Sequence, residues 1–357
     1  MSIDSFNFSN STVSTITTKP TTIMDHPSNV TIQNEEFDEH AFQVSILSVM
    51  AVVGTVGNSV VLGLLLTVCR GDTTATPFVI SLTVADLVVS LVIDSFHIKG
   101  ILDSQFFIEH GIVCRAVGSL CVAGCIASLA TAAAISVNRY MCVCKRALHD
   151  AVFTDRGNAL IVATVWVYGA LYVIPLWAGY GGVRYDLKTK NCMYDRTNVV
   201  FTLIFIIVGH LVPTVAVFAA NAKLFLYVRD VKGKVTSPAV RQKLFHEELK
   251  VFRSLGILCV YFVLSWLQYA VIVVSDTGDV WPPAAHFLSL VIAHTSSSIN
   301  AVLFAATNGN MKRKVKKLCG FTRCNPKHGT RVTTDQLNTF HLRRIHGQGN
   351  RPYGVTV

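Results

Sequence analysis

The sequence predicts an all-α membrane protein, a seven-transmembrane helix bundle with a short amphipathic eighth helix. Hydrophobic residues fill 51% of the 357 positions and charged residues only 15%, whereas soluble domains carry about 25% charged residues. The mean hydropathy is +0.48. Seven apolar stretches reach the roughly 20 residues that a bilayer core requires, and they are continuous rather than alternating, which favours helices over a barrel. A soluble enzyme and a mostly disordered chain are disfavoured.

The seven predicted spans contain few charged residues. The first runs from Phe42 to Val68 without a charge, and the second contains the two acids Asp86 and Asp94. Small residues such as Gly54 suit close packing of helices in lipid. The predicted spans are 42–68, 77–98, 112–137, 158–177, 198–228, 250–274 and 283–306.

The segment before the first span is predicted to lie outside the cell. Residues 1–41 are rich in Ser and Thr and lack the apolar core of a cleavable signal peptide, so the first span is expected to act as a signal anchor. Three glycosylation sequons begin at Asn7, Asn10 and Asn29, as is typical of an extracellular tail. The predicted organisation is an extracellular glycosylated tail (1–41), the bundle (42–306), a cytoplasmic amphipathic helix (307–320) and a disordered basic cytoplasmic tail (321–357).

The distribution of basic residues tests this orientation independently. Of the 31 Lys and Arg residues, 24 fall in the segments that would be cytoplasmic, and the formal net charge is +10. Positive charge inside is the orientation rule for membrane proteins. The sequence therefore predicts a multi-pass protein of the plasma membrane with a cytoplasmic C-terminus, whose basic face meets anionic membrane lipids and a partner protein. Nucleic-acid binding is disfavoured, since no soluble fold remains to present these charges.

Short motifs in the spans resemble those of rhodopsin-like G-protein-coupled receptors over about residues 42–320. The third span starts at Cys114 and ends at Asn138, Arg139 and Tyr140, with the family's spacing of 25 residues between the cysteine and the arginine. The other matches are Gly57-Asn58-Ser59-Val60, Ser81-Leu82-Thr83-Val84-Ala85-Asp86, Trp166 with Pro175, Pro213, Phe262 with Ser265 and Trp266, and Asn300-Ala301-Val302-Leu303-Phe304. Because all occur in order and at the proper depth of their spans, the resemblance is specific.

Within that family the sequence leans toward melatonin-type receptors. An opsin is disfavoured because His294 stands at the position of the retinal-binding lysine, and a typical amine receptor because Cys121 stands where the amine-pairing aspartate would be. The positions similar to melatonin-type receptors are Asn138 before Arg139, Ala301 after Asn300 and Tyr185-Asp186 seven residues before Cys192, and His210, three residues before Pro213, lies one position from the histidine of those receptors.

The resemblance implies two features of the cysteines. Cys114 and Cys192 would form a disulfide that ties the second outer loop to the top of the third span, with two free thiols as the alternative. Cys319 and Cys324 follow the basic segment Asn310–Leu318, which is expected to lie along the inner membrane face. They are predicted palmitoylation sites, and unmodified cytosolic cysteines are the alternative.

Asp86 is predicted to lie near the middle of the membrane, where a carboxylate is costly unless it is paired, hydrated or ion-bound. Family correspondence places Asn58, Ser128, Ser296 and Asn300 around it, a set that resembles a sodium pocket. Sodium, as an allosteric ion, is the one candidate cofactor. A protonated, hydrogen-bonded Asp86 is the alternative.

The resemblance also implies how the receptor couples to its partner. Asn138, Arg139 and Tyr140 would meet the G protein when the sixth span swings outward, and Glu248 would face Arg139 at rest, unless it lies on a solvated helix face. Trp266, Asn300 and Phe304 complete the predicted activation residues. Three departures put normal switching in question: Gln268 replaces a proline, and Asn221 and Phe304 replace tyrosines.

The outer half of the bundle is the predicted ligand site, by analogy with the family and because pockets commonly form between helices. The candidate residues are Asp94, His97, Cys121, His210, Trp266, Tyr269 and His294. Any single histidine here is more often structural than a ligand contact. Asp94 has three readings: pairing with a histidine such as His97 or His294, contact with a cationic ligand, or exposure to lipid or water.

The predicted function is binding of a small extracellular ligand that drives nucleotide exchange on a heterotrimeric G protein, with arrestin as a further partner. The alternatives are a scavenging or arrestin-coupled receptor of the same fold and, less favoured, a channel or transporter, which would need a charged path or internal repeats. An enzyme is the least favoured class, because the sequence contains no H-E-x-x-H, P-loop or G-x-S-x-G motif and no cysteine cluster with the spacing of a metal site.

Overall fold

The computed structural model describes residues 27–67, 74–234, 261 and 264–307, with side chains over 38–67, 74–230, 261 and 264–303. All of these belong to one compact unit, Met1–Lys312. A second unit, Arg313–Val357, lies outside the described residues. The predicted eighth helix over 307–320 lies outside the described residues beyond Thr307.

Long helices make up nearly all of the described chain. The spans are Pro27–Thr67; Thr76–Leu87, Val88–Ile93 and Asp94–Leu102; Gly111–Cys144; Asp155–Leu171 and Val173–Trp177; Val199–Ile204, Phe205–Leu211 and Val212–Lys234; the helix Leu264–Ser275; and Pro283–Thr307. By length and composition, the first five are able to cross a membrane among the residues described. These helices agree with the seven predicted spans, and the part of the predicted sixth span before Leu264 is described only at Tyr261.

Several helix ends differ from the predicted bounds. The first helix begins at Pro27, whereas its apolar stretch begins at Phe42, because the intervening polar residues continue the helix beyond the bilayer-length segment. The third helix continues to Cys144, past the predicted end at residue 137. Hydropathy marks only the part of a helix that lies in lipid, so it gives no signal for a polar extension.

Side chains cap the starts of the shorter elements. Asp103 accepts a hydrogen bond from the backbone N–H of Phe106 at the helix Ser104–Glu109. Thr154 accepts one from the N–H of Gly157 at the start of the fourth span. These are the residue types that satisfy the free N–H groups of a first turn, so the sequence encodes where these helices begin.

The second and fifth spans each contain a π-helical segment, Val88–Ile93 and Phe205–Leu211. Pro213 follows the second of these segments and cannot donate a backbone hydrogen bond to the preceding turn. The wider turn around His210 is the local response to that missing bond. For the segment in the second span we find no comparable cause in the sequence.

Two strands form a hairpin between the fourth and fifth spans. Strand β1 (Val183–Asp186) pairs antiparallel with β2 (Asn191–Tyr194), and Tyr185 lies opposite Cys192. The end of the bundle that carries this hairpin is called the hairpin end below. The end that carries Arg139 is called the opposite end.

The helices pack closely where their residues are small. A Cβ added to Gly54 would lie 2.6 Å from Ser90 Cβ and 2.7 Å from Ser298 Oγ, and one added to Gly169 would lie 2.6 Å from the Ala123 carbonyl oxygen. Large apolar side chains such as Val52 and Leu160 point outward and are exposed. Small residues inside and apolar residues outside are the arrangement expected of helices packed in lipid.

Candidate functional site

A small cavity of about 30 Å³ lies between the third, fifth, sixth and seventh spans and the hairpin. Four of the seven predicted ligand residues line it, namely Cys121, Trp266, Tyr269 and His294. The hairpin closes it with β2, from Asn191 to Tyr194. This volume is far below the 300–1,000 Å³ typical of small-molecule sites, so a ligand of that size requires the cavity to widen.

Aromatic side chains form much of the wall of the cavity. The Trp266 ring lies 4.6 Å from that of His210 and 5.9 Å from that of Tyr269, measured between ring centroids. The Tyr269 and Tyr194 hydroxyl oxygens are 3.3 Å apart. The surface that a ligand would meet is therefore mainly aromatic and apolar.

His210 lies behind this wall rather than on the cavity. It is buried, and its Nδ1 donates to the Phe205 carbonyl at 2.9 Å, a bond that spans five residues and fits the π-helical turn. Its ring also packs against the Phe205 ring, with centroids 4.4 Å apart. The structure thus gives His210 a packing role beside Trp266.

Asp94 is fully buried and paired with a histidine. Its Oδ1 lies 3.0 Å from His294 Nδ1, and His294 Nε2 lies 3.7 Å from Cys121 Sγ. The lipid- or water-exposed reading of Asp94 is wrong in this structure, because its side chain has 0% exposure. Of the two remaining readings, the geometry favours internal pairing with His294.

His97 serves the hairpin and not the cavity. Its Nε2 donates to the Thr189 carbonyl at 2.7 Å, in the turn between β1 and β2, and its ring packs edge-on against Phe287. His97 is fully buried. Although it is three residues from Asp94, the two side chains reach different partners.

The structure joins Cys114 to Cys192, with their Cα atoms 5.3 Å apart, and this confirms the predicted disulfide. The bond ties β2 to the start of the third span. Gly118, one turn further along that span, has no side chain to separate it from the hairpin: an added Cβ would lie 2.5 Å from Val183 and 2.8 Å from the Cys192 carbonyl oxygen. The hairpin is therefore seated directly on the third span.

An ionic network that sequence reasoning missed connects the hairpin region to the seventh span. Arg196 lies 2.7 Å from Asp186 Oδ2 and 2.6 Å from His286 Nδ1, and His286 Nε2 lies 2.7 Å from Asp276 Oδ2. Lys188 adds a 2.9 Å ion pair with Asp279. The available signal was the clustering of opposite charges in two short loops, at residues 186–196 and 276–279.

The charges in this network have perturbed protonation equilibria. Burial alone would raise the pKa of the Asp276 carboxyl, but hydrogen bonds from His286 and from the backbone of Val280 and Trp281 outweigh it and hold the pKa below its ordinary value of 3.8. Burial likewise works against the charged form of Arg196, yet the Asp186 carboxylate leaves the pKa of the guanidinium above its ordinary value. Both groups are therefore charged in the folded protein at neutral pH.

The structure brings together only part of the predicted sodium pocket. Asp86 is buried, and its two oxygens accept bonds at 3.0 Å from Ser128 Oγ and Asn300 Nδ2. Asn58 instead donates to the carbonyls of Gly54 and Ser297, and Ser296 donates to the Ala293 carbonyl. Of the predicted set, Asp86 and Ser128 bring oxygen atoms together, Asn300 turns its amide nitrogen toward Asp86, and Asn58 and Ser296 are engaged with backbone carbonyls. This is a poor fit for the ion.

At the opposite end, the neighbours of Arg139 form a second polar cluster. Asn138 Nδ2 lies 3.4 Å from His149 Nε2, which is also 3.2 Å from Thr74 Oγ1. Arg139 and Tyr140 are half-buried beside them. Asn138 therefore fixes the short helix Arg146–Val152 to the third span.

Two of the departures from the family pattern make specific contacts. Gln268 Nε2 donates to the carbonyls of Ser265 and Ser289, at 2.8 and 2.7 Å, and so links the sixth and seventh spans. Asn221 Nδ2 donates to Val217 and lies 3.3 Å from Ser136 Oγ on the third span. Both residues replace the family's side chains with hydrogen bonds between helices.

The remaining predicted positions lie outside the described side chains. Only the backbone is described at Asn29 and Phe304, both in helices. Asn7, Asn10, Glu248, Cys319 and Cys324 lie outside the described residues altogether.

Comparisons with known proteins agree with this architecture. A profile of the family described as 7 transmembrane receptor (rhodopsin family) matches residues 57–304. The chain is 25% identical to melatonin receptor type 1C of Gallus gallus over 281 residues, 77% of this chain and 80% of that protein. It is 24% identical to melatonin receptor type 1A of Mus musculus over 248 residues, 68% of this chain and 69% of that protein.

The fold is also that of a solved structure. The crystal structure of squid rhodopsin superposes with a TM-score of 0.65 at 18% sequence identity, and the match covers 88% of this chain and 94% of that chain. At this identity the likeness concerns the fold alone.

Proposed function

The chain belongs to the rhodopsin family of seven-transmembrane, G-protein-coupled receptors. From this premise we propose a separate role for each end of the bundle. The hairpin end faces the outside of the cell and binds a small ligand. The opposite end faces the cytosol and promotes nucleotide exchange on a heterotrimeric G protein. Neither end performs chemistry on the ligand.

One observation supports this division best: a single rigid helix connects the two ends. Cys121 of the third span lines the cavity, and Arg139 lies 18 residues further along the same unbroken helix, Gly111–Cys144. At 1.5 Å per residue the two positions are about 27 Å apart along the axis. Trp266 lines the same cavity from the sixth span, the span whose outward movement opens the cleft for a G protein in this family.

The mechanism follows from the size of the cavity. Because about 30 Å³ does not admit a drug-sized molecule, a ligand binds only those conformations in which the surrounding helices have separated. Its binding free energy then favours such conformations over the closed one. Trp266 and Tyr269 carry the displacement to the sixth span, and Gln268 holds that span to the seventh through the Ser289 carbonyl.

We propose an uncharged aromatic ligand, with melatonin as the first to test. The aromatic wall suits such a molecule, and Asp94 pairs with His294 and is not among the residues that line the cavity, so no carboxylate there faces an amine. Two relatives are melatonin receptors by name. The scavenging, channel and transporter alternatives receive no support from the comparisons.

Cells that express the full-length receptor together with a sensor of G-protein dissociation test this proposal. Melatonin is expected to produce a saturable response, and Trp266→Leu is expected to weaken it at least tenfold, because the variant removes a wall of the cavity. Trp281→Leu is the matched control, since Trp281 is 38% exposed in the loop before the seventh span. No melatonin response, or equal responses of the two variants, would overturn the ligand assignment.

The other features of the receptor remain proposals of the same kind. Location in the plasma membrane, arrestin binding, lipid contact, glycosylation at the three sequons and palmitoylation of Cys319 and Cys324 follow from the sequence and the family. A sodium ion would have Asp86 and Ser128 as its ligands, and no step of the proposed mechanism depends on it.

A further inference from the structure

Three side chains that bind soft metal ions converge near the cavity. Cys121 and Cys125 are four residues apart on the third span and therefore share one face of the helix. His294 reaches them from the seventh span. Their ligand atoms, two Sγ and one imidazole nitrogen, all lie within 4.8 Å of one another, and all three residues line the cavity.

The histidine already has the orientation that a metal ligand requires. His294 Nδ1 lies 3.0 Å from Asp94 Oδ1, and because a carboxylate accepts, Nδ1 carries the proton and donates. When the ring is neutral, the lone pair of Nε2 then faces Cys121. A carboxylate that orients a metal-bound histidine through its other nitrogen is a recurrent arrangement in zinc sites.

The distance across the site also fits. With Zn–N near 2.0–2.1 Å and Zn–S near 2.3 Å, a tetrahedral zinc ion separates its nitrogen and sulfur ligands by about 3.6 Å. Cys121 Sγ and His294 Nε2 are 3.7 Å apart. An ion can therefore lie between them with little movement of either helix.

The charge and the space at the site favour a cation. Asp94 is fully buried, yet its Oδ2 has no hydrogen-bond partner among the described residues, so the carboxylate is only partly satisfied. One water molecule needs a cavity of roughly 10–15 Å³. The cavity of about 30 Å³ therefore has room for an ion and a water molecule.

We propose that Cys121, Cys125 and His294 bind one Zn²⁺ ion, with the fourth position open toward the cavity and held by water. On binding, each thiol loses its proton to solvent, so that Zn²⁺ meets two thiolates and a neutral imidazole, and the three protein ligands and the ion together are uncharged. Two thiolates and an imidazole suit Zn²⁺ far better than Ca²⁺ or Mg²⁺. The ion would join the third and seventh spans beside Trp266, a property that does not depend on the receptor's agonist or G protein.

Metal content of the purified protein tests the proposal without any signalling readout. The full-length, tag-free receptor in lipid nanodiscs is stripped with a chelator, equilibrated with buffered Zn²⁺ and assayed by elemental mass spectrometry. One zinc ion per chain is expected. Co²⁺ in its place is expected to give thiolate-to-cobalt charge-transfer absorption and the intense visible bands of a four-coordinate site.

Variants then assign the ligands. Cys121→Ser and Cys125→Ser are each expected to remove the charge-transfer band or halve it and to abolish stoichiometric zinc at a concentration that saturates the wild type. Asp94→Asn should lower the affinity for zinc by about 10–100-fold, as a lost orienting partner does. Cys142→Ser is the matched control, because Cys142 is a free cysteine at the opposite end of the same helix.

Four results would overturn the proposed zinc site. No zinc on the wild-type protein, preference for Cu⁺ alone, or equal zinc on wild type, Cys121→Ser and Cys125→Ala would overturn the proposal. So would loss of zinc from Cys142→Ser. Thermal unfolding of each purified variant shows whether it is folded, and Cys125→Ala provides a second probe should the serine variants not fold. A receptor that binds zinc but fails to respond to melatonin would count against the ligand assignment only.

Discussion

At the scale of single residues, burial decides which of the polar side chains contribute to stability. Arg196 and Arg184 lie in the same loop region, and both contact an aspartate. The Arg196 side chain is 7% exposed and contacts Asp186 and His286, whereas the Arg184 side chain is 71% exposed and pairs with Asp195. Solvent screens the second pair and not the first.

Arg196→Gln should therefore destabilise the receptor by about 3 kcal/mol, because it removes the buried cation that pairs with the largely covered Asp186 and contacts the buried His286. Arg184→Gln, the matched control, should change the free energy of unfolding by less than about 1 kcal/mol. Unfolding of the purified variants in lipid measures both. Equal effects would show that the network around Arg196 does not hold the hairpin region.

Asp276, a carboxylate of this network, predicts that the stability of the receptor depends on pH. The pKa of Asp276 in the folded protein is below its ordinary value of 3.8, so the unfolded chain takes up its proton first as the pH falls. The stabilisation from Asp276 is then fully present above about pH 4 and is lost as the pH falls through the folded pKa. Asp276→Asn should make stability less sensitive to acid in that range, and an unchanged profile would contradict this assignment.

At the scale of elements, one glycine sets how closely three spans approach. Gly54 of the first span faces Ser90 of the second and Ser298 of the seventh, whereas an added Cβ at Gly63 of the same helix meets nothing within 4 Å. Gly54→Val should separate these helices and cost about 1–3 kcal/mol through overpacking. Gly63→Val should cost much less. Surface expression and thermal unfolding of the two variants compare them directly.

The disulfide acts at the same scale, since it closes a loop across 78 residues between the third span and the hairpin. Chain entropy assigns such a bond about 4 kcal/mol. Cys114→Ser and Cys192→Ser should each lose most of that stability and most of the surface expression, and the double variant should be no worse than either. Additive losses would show that the two cysteines act separately, because members of one bond act as a unit.

At the scale of the whole molecule, the sequence predicts the helix bundle but not every extension and irregular turn of its helices. Hydropathy finds the spans because burial in lipid requires long apolar runs, and the spacing from Cys114 to Arg139 identifies the third. The polar extension of the first helix to Pro27 and the π-helical turn at Val88–Ile93 leave no hydropathy signal.

The candidate site was likewise predicted from the sequence only in part. Cys121, Trp266, Tyr269 and His294 were predicted for the cavity and line it, because each stands at a family pocket position. His97 and His210 were predicted for it as well, yet both turn toward backbone carbonyls. Depth in a span indicates which layer a side chain occupies, but not which way it points.

We propose that this receptor promotes nucleotide exchange on a G protein through Arg139. The most direct test is GTPγS binding by purified heterotrimers, one of each main class, with the full-length receptor in lipid nanodiscs and melatonin present. The receptor is expected to accelerate exchange on at least one heterotrimer. Arg139→Ala is expected to return the rate to that of the G protein alone, whereas Arg156→Ala, the loss of an exposed arginine at the same end, is not. A rate that is equal with the wild type, with Arg139→Ala and without receptor, for every heterotrimer, would contradict it.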